Sequence, residues 1–95
     1  MTQQYLAGEL SVLLARLQAV ATNPAVLRDV AQLRREVETG PVTALPSLVV
    51  RALALTDGLC WDSLERGDPA AFTCQAALCA ELRDFGVCAR LLEER

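Results

Sequence analysis

Cys60, Cys74, Cys79 and Cys88 have the widest chemical repertoire in this 95-residue chain, because thiolates bind zinc and iron–sulfur clusters and exchange with other thiols. Their gaps are 13, 4 and 8 intervening residues, so no Cys-x-x-Cys knuckle is formed. On one continuous helix Cys74 and Cys79 point about 140° apart, which turns them away from a shared ligand. The expectation is structural thiols and no bound cofactor, with a cysteine-based metal-binding or redox-sensing regulator as the alternative. The only tryptophan, Trp61, and both phenylalanines, Phe72 and Phe85, fall in the same stretch as the cysteines, from Asp57 to Cys88. A specialised surface is expected there.

What is missing excludes more than what is present. The chain has no histidine and no lysine, and all nine of its positive charges are arginine. That removes Ser-His and Cys-His nucleophile pairs, imidazole ligands, Schiff bases and phosphate-binding lysines. A ferritin-like di-iron centre needs Glu-x-x-His pairs and is closed as well. Carboxylates remain: Asp57, Asp62, Glu65 and Asp68 flank Trp61. Asp57, Asp62 and Glu65 do not share one strict helix face, and the reading is a solvated acidic edge. No catalytic or metal-ligating residue is assigned, and an enzyme is not expected.

Charge layout argues against nucleic acid. Residues 1–56 hold five arginines against four acids, residues 57–95 four against eight, and the net charge is -3. No basic face emerges to neutralise phosphates. Arg34 and Glu38 are placed for an i,i+4 ion pair. No apolar run approaches the roughly 18 to 20 residues of a membrane span. The opening residues lack a basic and then apolar leader, so a cytoplasmic location is expected, where thiols stay reduced.

The elements that must position these residues follow from apolar spacing. Leu6, Leu10, Leu13, Leu17 and Val20 alternate steps of four and three and predict an amphipathic first helix ending near Ala21. Asn23 and Pro24 supply the N-cap and first position of a second helix, carried by Val26, Val30, Leu33 and Val37 and stopped at Gly40-Pro41. A third helix opens after Thr43 or Pro46. Its apolar residues, including Leu48, Leu55, Leu59 and Cys60, wrap more than half the circumference, as expected of a central helix touching neighbours on two sides. Gly58 within it predicts a close crossing or a bend. Gly67-Asp68-Pro69 is the corner into a fourth helix, with Phe72, Ala76, Cys79 and Leu82 along one side. Gly86 is expected to break that helix, leaving a short tail helix from Val87 to about Glu94.

The hairpin Leu59 to Phe85, with its Gly-Asp turn, resembles a tetratricopeptide helix pair. It puts Phe72 where that repeat has a small residue and lacks neighbouring copies, and no function follows from it. The fold expected is all-α, a single domain over residues 1–95 arranged as an antiparallel four-helix bundle with a short fifth C-terminal helix. Three short partners cannot cover Trp61 and the opposite face of the third helix together, and surplus apolar area of that kind marks a seam. The function expected is a helical protein-protein interaction module, a homodimer or an accessory subunit, without nucleic acid or membrane. Leu48, Leu55, Leu59, Trp61, Phe72 and Phe85 are the candidate interface or pocket residues; a small-ligand pocket near Trp61 is the other alternative.

Overall fold

The computed structural model describes residues 2–21 and 23–89. These form four α-helices, α1 (Thr2–Val20), α2 (Pro24–Thr39), α3 (Leu45–Arg66) and α4 (Pro69–Cys88), with a 3-10 turn at Val42–Ala44 and no strand among the described residues. Leu10, Leu14 and Leu17 of α1 are fully buried, as the four-three spacing requires. They meet Val30, Leu33 and Val37 of α2, Leu48, Val49 and Ala52 of α3, and Leu78 and Leu82 of α4 in one apolar cluster. The Cα positions extend 42 × 30 × 16 Å. A least dimension of 16 Å is close to two helix radii plus one interaxial distance, so every helix keeps a face toward solvent.

Local chemistry sets the corners. The Asn23 side chain accepts from the Ala25 N–H at 2.8 Å, and Pro24 opens α2 without a donor to satisfy. At the end of α2, Gly40 donates to the Glu36 carbonyl, and a Cβ at Gly40 would lie 2.5 Å from that same oxygen. Only glycine fits that approach. The entrance to α3 is less conventional than the sequence suggests. Ala44 is its N-cap, with no side-chain bond, and the 3-10 turn delivers the chain with Pro46 already in the first helical turn.

The third corner carries three independent locks. Gly67 takes the left-handed conformation (φ 69°), which costs a residue without Cβ little. Its N–H donates to the Leu64 carbonyl at 3.1 Å and that of Asp68 to the Ser63 carbonyl at 2.9 Å, the paired bonds of a Schellman ending. The Asp68 carboxylate then caps α4 through the Ala71 N–H at 3.2 Å.

Helix α4 departs from expectation in two ways. It runs unbroken through Gly86 to Cys88, because Gly86 lies on the buried stripe Gln75, Leu78, Leu82, Gly86 and packing there holds the turn. The remainder of the expected tail helix lies outside the described residues. Second, the stripe facing the core contains Gln75, while Phe72 and Cys79 sit on the flank, only partly buried. Gly58 in α3 meets nothing within 4 Å of a would-be Cβ, so it marks no close crossing.

Among the described residues two ion pairs stitch helix to helix: Arg16 to Glu81 (α1 to α4), with contacts of 2.9 and 2.6 Å, and Arg51 to Glu36 (α3 to α2) at 3.0 Å. The guanidinium in each case holds its partner carboxyl below the usual carboxylate range. Arg34 does not pair with Glu38. It turns across to α1, donating to Gln18 at 2.7 Å, because lying against the neighbouring helix buries its stem. No helix among the described residues is long and apolar enough to cross a membrane.

Candidate functional site

Trp61 is 60% exposed and Leu64 55%, one turn apart on the outer face of α3. Both border a groove between α3 and α4 of about 380 Å³, whose other walls include Cys60, Phe72, Ala76, Cys79 and Ala80, with Asp57 and Arg83 at the charged end. The groove exists because of side-chain size. On α4 the residues beside Phe72 are alanines, which let the helices come close yet fill little of the space above their seam.

Deeper between α3 and α4 than the groove lining, a buried polar contact fixes the register. The Ser63 hydroxyl donates to Gln75 Oε1 at 2.5 Å, and both residues are buried. Arg66, from the last turn of α3, reaches the same hydroxyl at 3.4 Å. Thr56, also buried, satisfies its hydroxyl on the Ala52 carbonyl at 2.7 Å. Since α3 and α4 are joined by a tight corner, one turn back from Ser63 and one turn on from Gln75 bring Cys60 and Cys79 level, and two turns bring Asp57 level with Arg83. Burial pushes the Cys60 thiol up, with smaller contributions from Cys79 and Asp57. That disfavours the thiolate and makes Cys60 a poor nucleophile at neutral pH.

The sequence-derived candidates do not gather in one place. Trp61 and Phe72 share the groove, with Cys60 and Cys79. Leu48 and Leu59 are buried in the core of the chain itself, and Leu55 is half-buried toward α2, near Leu33 and Arg51. Phe85 lies elsewhere, against Tyr5, Leu6 and Glu9 at the start of α1, with Cys88 beside it. Cys74 and Cys88 are exposed and Cys60 buried. Among the described residues no group of three or more cysteines and carboxylates is gathered to hold a metal ion.

Arg83, Ala76 and Ala80 were not candidates from sequence. Their signal is a second stripe on α4, Phe72, Ala76, Cys79 and Arg83 at four-three-four spacing, running beside the buried one and widened by Ala80 four residues on from Ala76. Asp57, read as part of an acidic edge, is drawn into the site by the same register. Asp62, Glu65 and Asp68 are exposed.

The chain matches no family model, no curated protein and no solved structure. Its function must be argued from the groove alone. The walls offer a large flat aromatic, aliphatic and small side chains, two thiols and one pair of opposite charges. Such a lining accepts apolar knobs between charged ends.

Proposed function

We propose that this protein is a non-enzymatic helical interaction module, an antiparallel four-helix bundle acting in the cytoplasm, whose docking face is the α3–α4 groove. The observation that carries the reading is Trp61: an indole more than half exposed beside an apolar groove is the kind of anchor that dominates protein interfaces. The exposure has no stabilising role within the chain. Scattered apolar side chains on a surface are ordinary, but Trp61, Leu64 and Phe72 adjoin one another around a concavity.

A reactive thiol needs a neighbour that favours its thiolate, and burial and the nearby Asp57 carboxylate act on Cys60 in the opposite direction. The thiol-centred alternative rests only on those two cysteines sharing a wall-to-wall level.

The test is site-specific photo-crosslinking in cells that express the chain. A benzophenone amino acid placed at Leu64 is expected to trap a protein adduct of discrete mass, whereas the same group at exposed Arg28 on α2 is not. Equal or absent adducts at the two positions would remove this reading.

A further inference from the structure

We infer that the occupant of the groove is a second copy of this chain, docked about a two-fold axis running along the groove, so that Asp57 of each copy faces Arg83 of the other. The inference rests on the interaction reading and adds the partner's identity and orientation to it.

Two features of the groove are complementary to each other rather than to a foreign surface. The first is charge. Asp57 on the α3 wall and Arg83 on the α4 wall stand at the same end, and neither forms an ion pair or side-chain hydrogen bond among the described residues. Elsewhere in the molecule opposite charges on neighbouring helices do meet, at 2.6 Å for Arg16 and Glu81 and 3.0 Å for Arg51 and Glu36. Across the groove the intervening space keeps them apart.

The second feature is bulk. The α3 wall is large, with Trp61 and Leu64 standing out from it, and the α4 wall is small at Ala76 and Ala80. A rotation about an axis along the groove lays the α3 wall of one copy over the α4 wall of the other without changing the level of any residue. Trp61 of each copy then falls over the hollow above the other's alanines, Leu64 of each comes against the other's Phe72, and each Asp57 meets an Arg83. An axis running across the groove would instead stack α3 on α3 end to end, setting Trp61 on its own equivalent and carrying Asp57 and Arg83 of each copy to the opposite end from those of the other, so that no opposite charges meet. An isologous interface has to be complementary to itself, and only the first axis satisfies both features.

The experiment is a charge-swap cycle read by light scattering coupled to size exclusion and by sedimentation equilibrium. The wild-type chain is expected to dimerise reversibly, more weakly as salt is added, because the two ion pairs lie at the rim. Asp57→Arg and Arg83→Asp are each expected to weaken dimerisation by about tenfold or more, since each opposes like charges twice. Mixing the two variants is expected to restore a mixed dimer, and the double variant Asp57→Arg/Arg83→Asp to restore the homodimer. Both positions are exposed, so unchanged melting curves verify that the fold is intact. A wild type that stays monomeric at millimolar concentration, single variants that dimerise like wild type, or a mixture that fails to recover overturns the inference. The failure is separable from that of the interaction reading: a Leu64 crosslink to a chain other than the 10.3 kDa protomer would keep the module and lose the second copy.

Discussion

The two helical hairpins solve the same packing problem with opposite distributions of polarity. In α1 and α2 the buried side chains among the described residues are leucine and valine, joined by Ala21 of the turn between them, and the exposed apolar residues Tyr5 and Val12 share their face with Glu9 and Arg16. In α3 and α4 three polar side chains, Thr56, Ser63 and Gln75, are inside, while Trp61 and Leu64 are outside. Apolar packing is non-directional and tolerates rearrangement; a buried hydrogen bond such as Ser63 to Gln75 is satisfied in only one register. The first hairpin therefore supplies cohesion, and the second spends part of its apolar surface outside and uses polar contacts to hold the groove in one shape.

The contrast breaks or sharpens under substitution, beginning with the largest effect. Leu14→Ala, at a fully buried site, is expected to destabilise by about 2–5 kcal/mol in urea unfolding without altering crosslinking at Leu64. If association fell in step with stability among molecules still folded, the two hairpins would not be functionally separate. Next comes the buried polar contact. Ser63→Ala strands the buried Gln75 amide oxygen and is expected to cost about 1–3 kcal/mol, whereas Ser63→Ala with Gln75→Leu recovers most of the loss. No recovery in that double variant would mean that packing, not the hydrogen bond, sets the register.

Glycines give a paired test of smaller size. Gly40→Ala drives a Cβ to within 2.5 Å of a backbone oxygen and is expected to lower the unfolding midpoint. Gly58→Ala meets open space in the middle of α3 and is expected to stabilise by about 0.5–1 kcal/mol. Trp61→Ser should change stability by less than about 0.5 kcal/mol, as for other surface changes, while abolishing the Leu64 crosslink. A large loss of stability would show Trp61 to be a structural rather than a docking residue.

The smallest effects are those of pH. Glu36 and Glu81 have folded-state pKa values below those of the unfolded chain, so their stabilisation is present above the usual carboxylate range and lost as pH falls through the folded values. Comparing urea midpoints at neutral and acid pH should show a slight dependence that shrinks in Arg16→Met/Arg51→Met and in high salt, since both pairs are exposed. Cys60 runs the other way. Its raised pKa predicts that it is the last cysteine to be alkylated, after exposed Cys74 and Cys88, as mass spectrometry of timed samples can establish.

Helix existence was legible because α1 and α2 repeat leucine and valine at four-three spacing, and because Asn23-Pro24 and Gly67-Asp68-Pro69 have single local solutions. The entrance to α3 was not, since a 3-10 turn capped by Ala44 leaves no polar signature. The rotation of α4 was also hidden. Hydropathy alone sends Phe72 and Cys79 inward ahead of Gln75, but Ser63 supplies the partner that makes a buried glutamine acceptable, and that partner is twelve residues away in another helix. Gly86 followed the same logic: its weak helix propensity is local, and the burial that overrides it is not. For the site, the cluster of aromatic and thiol residues in one stretch pointed to the right hairpin. Only the register separated Trp61 and Phe72, which meet, from Phe85, which faces α1, and Leu59, which the core absorbs.

Ser63 accepts the Asp68 N–H through its carbonyl and holds Gln75 through its hydroxyl, so the end of α3 and the alignment of α4 are anchored on one residue. Insertions at the two connections that flank α3 should therefore have unequal consequences. Extra residues between Thr39 and Pro41 can bulge into solvent and leave the far hairpin untouched. Even one residue added at Gly67 would ratchet α4 by a fraction of a turn, carrying Ala76 and Arg83 out of step with Trp61 and Asp57 while the chain stayed helical throughout.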